Sequence, residues 1–277
     1  MNFDDSIVVT DLDGSLLNDW GSYSSRDVET LNYLGEKGVI RVIATGRSVY
    51  SFSKVIPNDF PIDYLVFSSG AGVIKWSTKE LVHTNELPAV MVNRVIKILL
   101  QEKIDFMLHD PIPLNHCFQF YKSGNNNPDF ERRINVYQDY ASPLIVGVDY
   151  PDPASQFVAI LPKDYEDFNR LRQTVEICGV KVIRATSPLD GESIWMEVFP
   201  KGISKASGIR FIRDLSKIED GKLVVIGNDF NDIDMLDIAS HPFVVDNAPN
   251  ELKDKYMKTL SNNASGFSNA VTQVFNF

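Results

Sequence analysis

Cysteine is scarce in this chain. Only Cys117 and Cys178 are present, and neither belongs to a Cys-x-x-Cys pair, so no disulfide framework is implied. Long apolar runs are missing, and none is long enough to cross a bilayer. Positive charge is in deficit: 27 Lys and Arg stand against 37 Asp and Glu, a formal net charge of -10. A general nucleic-acid binder carries a basic footprint, so that class drops in rank. No basic-then-apolar leader opens the chain, and the expected location is the cytoplasm. Asn263-Ala264-Ser265 matches a glycosylation sequon, read as coincidence without a secretion signal. Internal repeats and low-complexity tracts are absent, and the oligomeric state leaves no signature.

What is present is ordinary globular material, 277 residues with 44% hydrophobic and 23% charged. That is enough for a sizeable core, in two domains or in one with a large insertion. One stretch organises the rest. Ile7, Val8 and Val9 form an apolar β-branched run, the mark of a buried parallel strand, and it ends in Asp11-Leu12-Asp13-Gly14. Asp11 then falls at the strand's C-terminal end, where open α/β sheets bind ligands. Two neighbouring acids repel, and a divalent cation relieves that repulsion. Such a cation also brings a phosphate up to the first carboxylate, which can attack phosphorus. As a plain polar turn, the stretch would need only Asp and Gly.

Further strands deliver polar loops in the same way. Ser24 to Lys37 reads as a helix capped by Ser24, with Asp27 as capping-box partner and Gly38 as its stop. Val39 to Ala44 is a second strand running into Thr45-Gly46-Arg47. With a right-handed crossover, Thr45 and Asp11 share one sheet edge. A short helix is expected from Arg47 to Ile56, then a third strand from Tyr64 to Phe67. Ser68-Ser69-Gly70-Ala71-Gly72 lacks the third glycine of a dinucleotide fingerprint, and it reads as a turn before a Val73–Trp76 strand.

The texture changes near His83. Val92, Val95, Ile96, Leu99 and Leu100 mark one helical face. Strands are expected over Asp105–His109, Cys117–Tyr121, Gln156–Leu161, Val180–Arg184 and Ile194–Phe199. The last two flank a Ser187-Pro188-Leu189-Asp190-Gly191 turn. Helices are expected over Asp129–Tyr140 and Tyr165–Ile177. Phe118, Phe120, Tyr121 and Trp195 read as core rather than as a substrate platform. This segment is an α+β domain inserted between the halves of the first.

Parallel-sheet texture then resumes. Ser204 caps a helix reaching Leu215, with Lys205 near its start. Leu223 to Ile226 is a buried strand ending in Gly227-Asn228-Asp229-Phe230-Asn231-Asp232. That loop opens a helix to Ala239, followed by a Phe243–Val245 strand and helices over Pro249–Lys258 and Phe267–Phe275. The fold expected is a Rossmann-like doubly wound parallel-sheet core at 1–82 and 198–277, with an α+β domain at 83–197 between its halves.

The polar loops suit phosphoryl transfer, in which catalysis consists of positioning plus cation. A hydroxyl at a strand end and a lysine near a helix N-terminus can hold phosphoryl oxygens. An acid cluster can hold Mg2+, which prefers oxygen ligands. Bland alternatives accompany each residue. Thr45 could merely cap a helix, and Lys205 could be a solvated lysine with Lys201 as its competitor. Asn228, Asp229, Asn231 and Asp232 could be a solvated helix start. A calcium loop fails, because Ile233 and Asp234 stand where its glycine should be.

Asp11-Leu12-Asp13-Gly14-Ser15-Leu16 resembles the first motif of the haloacid dehalogenase-like phosphatases. Thr45-Gly46-Arg47 resembles the second, Ser204-Lys205 the third, and Gly227 through Asp232 the fourth. Order and spacing are similar to the Cof-type branch (subfamily IIB), with its C2-type cap between the second and third motifs. The resemblance implies a Mg2+-dependent phosphatase of small phosphorylated metabolites, sugar phosphates foremost. It implies Asp11 as the nucleophile and Asp13 as the general acid and base. Thr45, Gly46, Arg47, Lys205 and Asn231 would hold the substrate, and Lys205 would also serve catalysis. Mg2+ would sit on Asp11, the Asp13 carbonyl, Asn228 and Asp232. Cap closure would exclude water and select the substrate.

Three positions depart from the family pattern. Asn228 stands where Asp is usual, which removes a charge that Asp229 or Asp232 can supply. Ser15 replaces a common threonine, and Ser69 stands where asparagine is frequent. Two rival readings remain, a phosphosugar mutase and a non-catalytic sugar-phosphate sensor.

Overall fold

The structure is a computed structural model, and it describes residues 3, 5–187, 189–218 and 222–276, the Thr186 side chain excepted. The chain divides into two units, Met1–Thr84 with Ser204–Phe277, and Asn85–Ile203.

In the first unit, β1 (Ile7–Thr10) leads through α1 (Ser25–Glu36) to β2 (Ile40–Ala44), then through α2 (Val49–Phe52) to β3 (Tyr64–Phe67). The hairpin β4 (Gly72–Lys75) and β5 (Glu80–Thr84) follows. α1 begins where expected, since Ser24 Oγ accepts from Asp27 N at 3.0 Å. The capping box does not close on backbone. Asp27 instead receives the Ser24 hydroxyl at 2.7 Å and the Ser268 amide at 3.1 Å, tying α1 to the C-terminal helix. α2 is far shorter than Arg47–Ile56, because residues 53–55 form a turn and Pro57 blocks continuation.

The second unit contains α3 (Ala89–Gln101), β6 (Phe106–His109), β7 (Phe118–Tyr121), α4 (Pro128–Val136) and β8 (Ala141–Pro143). It continues with β9 (Gln156–Leu161), α5 (Tyr165–Glu176), β10 (Val180–Thr186) and β11 (Ile194–Pro200). Its sheet runs β10-β11-β9-β6-β7-β8, antiparallel except between β7 and β8. One face is closed by Val92, Val95 and Leu99 of α3 and Phe168, Leu171 and Val175 of α5, against Phe106, Phe157 and Ala159. On α4, the buried Asp129 carboxylate accepts from Trp195 Nε1 at 2.8 Å and Ser187 Oγ at 3.1 Å. Trp195 and Phe118 are buried, while Phe120 and Tyr121 are half-buried. Pro188 of the expected turn lies outside the described residues.

The chain then returns with α6 (Lys205–Ser216), β12 (Leu223–Gly227), α7 (Ile233–Leu236), β13 (His241–Val244), α8 (Asn250–Lys255), β14 (Met257–Lys258) and α9 (Gly266–Phe275). The first sheet has the order β14-β13-β12-β1-β2-β3-β4-β5, parallel from β14 to β3. Ile7 and Val9 pack with Val225, Ala206, Ile209 and Ile212 on one face. Residues alternate across a strand, so Val8 and Val224 turn to the other face. Leu31 and Leu34 of α1 and Phe267, Val271 and Phe275 of α9 are buried, with α1 against β2 and α9 against β12.

The unit boundaries differ from 83–197. β5 pairs with β4, so the chain leaves the first sheet only after Thr84. β11 stays paired to Pro200, opposite Val180, so it belongs wholly to the second sheet. Lys258, expected at a helix end, lies in the edge strand β14 opposite Val244.

Candidate active site

The first unit gathers its chemistry at the C-terminal ends of β1, β2, β3 and β12. Asp11 extends the ladder by one bond, its N–H donating to Ile226 O at 2.8 Å, which fixes the carboxylate beside β12. Gly14 then turns the chain back at φ +75, and a Cβ there would meet the Asn228 amide at 2.5 Å. Glycine is demanded twice over at this position.

Lys205 is the first residue of α6, held in place by a Ser204–Ser207 capping box. Its Nζ donates to Asp11 Oδ1 at 2.6 Å and to Asp232 Oδ1 at 2.7 Å. All three groups are buried, with Asp232 at 0% exposure. Asp232 Oδ2 accepts from the N–H groups of Asn228 at 2.8 Å and Asp229 at 3.1 Å. The same carboxylate crowds Gly227, where a Cβ would lie 2.7 Å from Oδ2. Asp232, expected among metal ligands, thus has both oxygens engaged as the partner of Lys205 and the brace of its own loop.

The charges read consistently with this packing. Burial raises the Asp11 carboxyl to about 7, against the lowering effect of Lys205 and with further elevation by Asp232. Burial disfavours the Lys205 ammonium, but the carboxylates of Asp11 and Asp232 outweigh it and hold the pKa above its usual value. One cation and two buried carboxylates leave a surplus of negative charge.

Asn228 faces the other side of Asp11. With its amide nitrogen inward it donates to Asp11 Oδ2 at 3.1 Å, the Asp13 carbonyl at 3.2 Å and Ser15 Oγ at 3.3 Å. With the oxygen inward it accepts from Ser15 Oγ at 3.3 Å. Among the described residues no group of three or more His, Cys, Asp and Glu side chains is placed to hold a metal. The convergent donors are a carboxylate, a peptide carbonyl and an amide. All are hard oxygens, the chemistry that suits Mg2+.

Asp13 points outward, half-exposed, and forms a two-pronged ion pair with Arg47. Nε reaches Oδ2 at 2.8 Å and Nη2 reaches Oδ1 at 2.6 Å. Arg47 Nη1 also donates to Ser51 O at 3.2 Å. Thr45 is buried, its N–H donating to Val66 O at 2.9 Å and its Oγ1 accepting from Arg47 N at 3.1 Å. Gly46 is exposed between them. With the Asn228 amide nitrogen inward, hydrogen bonds and ion pairs join Thr45, Arg47, Asp13, Asn228, Asp11, Lys205 and Asp232 in one chain of neighbours. Asn231 stands apart, exposed in the one-turn 3-10 helix Phe230–Asp232. Lys201, the competitor of Lys205, is an exposed turn residue of the second unit.

One supporting residue was not singled out by sequence. Asn247 Nδ2 donates to Gly14 O at 2.8 Å, and its Oδ1 accepts from Asn262 N at 3.0 Å. It sits in the polar loop after β13, so one more polar strand end was the available signal.

An α/β protein with a buried aspartate facing a lysine at a parallel-sheet edge is the class these features define. The haloacid dehalogenase-like hydrolase family model matches residues 8–271. The chain belongs to the haloacid dehalogenase-like hydrolases. It is 24% identical to the putative phosphatase YxeH of Bacillus subtilis, over 97% of this chain and 97% of that protein. It is 22% identical to the 5-amino-6-(5-phospho-D-ribitylamino)uracil phosphatase YwtE of Bacillus subtilis, over 96% of this chain and 97% of that protein. The crystal structure of BT1666, a phosphatase of the same superfamily from Bacteroides thetaiotaomicron, superposes with TM-score 0.79 at 19% identity, covering 97% of this chain and 94% of that one. The subclass IIB sugar phosphatase BT4131 does so with TM-score 0.73 at 18% identity, covering 98% and 99%.

Proposed function

We propose that this chain hydrolyses small phosphorylated metabolites, sugar phosphates foremost, with Mg2+ and through an aspartyl-phosphate on Asp11. The observation that carries the reading is the pair of environments two residues apart. Asp11 is buried against Lys205, whereas Asp13 is half-exposed and paired with Arg47. Two carboxylates in contrasting surroundings suit two roles.

Asp11, Asn228 and the Asp13 carbonyl are the groups that would hold Mg2+, whose charge neutralises phosphoryl oxygens and the crowded carboxylate. Lys205 aligns the Asp11 carboxylate. Its ammonium and the Thr45 hydroxyl donate to phosphoryl oxygens, with Gly46 N–H and Asn231 at the rim. An Asp11 oxygen attacks phosphorus, and the bond to the alcohol oxygen breaks. Asp13, parted from Arg47 and protonated from solvent, gives that oxygen its proton. Asp13 then takes a proton from water as the water attacks the phosphoryl group, which releases inorganic phosphate and restores both carboxyl groups. Residues 85–203 are the C2-type cap in this reading.

A phosphate-release screen over a metabolite panel, with and without Mg2+, tests the proposal. Turnover is expected with Mg2+ and is abolished in Asp11→Asn. Phosphate release that survives in Asp11→Asn removes the nucleophile. Sugar-phosphate binding without release at saturating Mg2+ favours a sensor.

A further inference from the structure

The turn after β3 is bent in a way its residues resist. Ser68 and Ser69 both have left-handed backbones, at φ 48 and φ 55, and both are buried. Consecutive non-glycine residues hold such angles only where their surroundings impose them. Here the surroundings are two loops of the candidate site. Ser68 N–H donates to Arg47 O at 2.9 Å, and Ser69 N–H donates to Thr45 O at 3.0 Å. The bent turn therefore clips both carbonyls that flank Gly46. Ser69 Oγ also lies 3.6 Å from the place a Gly46 Cβ would take.

The next residue presses on the other loop. Gly70 has φ +102, and a Cβ there would lie 2.0 Å from Ser204 O and 3.3 Å from Lys205 N. Ser204 is the cap of the helix that Lys205 begins. Three successive residues thus touch the Thr45–Arg47 loop on one side and the origin of Lys205 on the other.

We propose that Ser69 and Gly70 are positioning residues, and that their left-handed turn sets the distance between the Thr45–Arg47 loop and Lys205. The inference rests on the phosphate-holding roles given above to Thr45 and Lys205. Neither residue is assigned a contact with substrate. A phosphoryl group held from two loops needs both loops in register, and misplacement by an ångström is enough to slow the reaction. A Ser side chain tolerates the left-handed region better than a β-branched one, and glycine occupies it freely.

The test compares Ser69→Val, the milder Ser69→Thr, Ser69→Gly and Gly70→Ala in the full chain. Amide exchange by mass spectrometry follows peptides over residues 42–48 and 203–209. Urea unfolding confirms that each variant is folded, and p-nitrophenyl phosphate with Mg2+ reports turnover. In Ser69→Val and Gly70→Ala, exchange is expected to rise in both peptides together. Turnover is expected to fall about tenfold or more in kcat, with a smaller change in KM. Ser69→Gly is expected to keep wild-type exchange and kcat, and Ser69→Thr to fall between. Should Ser69→Val fail to fold, Ser69→Thr and Gly70→Ala carry the same expectation. Loosening confined to residues 66–71, or unchanged kcat in a folded variant whose two peptides have both loosened, overturns the proposal. A wild-type chain that releases no phosphate overturns the functional reading instead, and the paired exchange result still judges the turn.

Discussion

Lys205 Nζ lies 2.6 Å from Asp11 Oδ1, although 194 positions separate the two residues in sequence. A second carboxylate, Asp232, completes the contact at 2.7 Å. Removing the ammonium leaves two carboxylates facing each other out of water. Lys205→Met is expected to destabilise the protein by about 3–5 kcal/mol, the usual cost of breaking a buried ion pair from one side. Phosphate release is expected to vanish with it. Urea unfolding checks the first outcome, and an unchanged midpoint would falsify the assignment of Lys205 as the site's structural cation.

Asp13 and Arg47 behave differently, because their side chains are 51% and 30% exposed. Asp13→Asn is expected to cost under about 1 kcal/mol of stability, as exposed pairs do. Its turnover is expected to fall about 10²–10⁴-fold, the range for a lost general acid and base. Binding of inorganic phosphate, followed by calorimetry, should survive. Loss of phosphate binding in parallel with turnover would assign Asp13 to substrate holding.

Asn228 offers a test of the metal proposal. Its amide end is 3.1 Å from Asp11 Oδ2 and 3.2 Å from the Asp13 carbonyl. A carboxylate in its place repels Asp11 when no cation is bound and adds a charged ligand when one is. Asn228→Asp is expected to lower the melting temperature in chelator. It should also reduce the Mg2+ concentration for half-maximal activity about tenfold, since charge count tunes such sites. An unchanged Mg2+ requirement places the ion elsewhere.

A fourth expectation concerns acid stability of the second unit. His109 is buried, with Nδ1–H donating to Asn115 O at 2.8 Å. Burial foremost, and then the Arg133 charge, push its pKa down to about 3. The folded chain keeps the ring neutral while the unfolded chain takes up a proton below about 6.5. Stability is therefore full above that value and falls as pH drops towards 3, by about 1.4 kcal/mol per pH unit from this group. His109→Phe should flatten the dependence relative to wild type between pH 4 and 6, about the middle of that window. Parallel slopes in urea titrations of the two proteins remove His109 as the cause.

Much of the first sheet was legible because apolar β-branched runs such as Ile7–Val9 and Leu223–Ile226 end abruptly in polar residues. Their ladder registers, Thr10 opposite both Ile43 and Ile226, then bring those ends to one edge. Other features were out of reach. Nothing local distinguishes Asp232 as a partner of Lys205 from Asp232 as a metal ligand. The pairing of Arg47 with Asp13 spans loops whose directions depend on Gly14 and on the turn after β3. The boundary after Pro200 escaped for a similar reason, since only the pairing of β11 with β10 and β9 shows where the second sheet ends.

Sequence by itself determined the parallel strands, the order of the polar loops and the identity of the ionisable groups they carry, because these follow from short-range pattern. Tertiary structure alone decided which oxygen faces which donor. Asp11 is buried against an ammonium and Asp13 is left to a surface arginine, although both come from the same turn. The physical reason is that charge is expensive away from water, so each carboxylate's role depends on the partners that folding delivers to it.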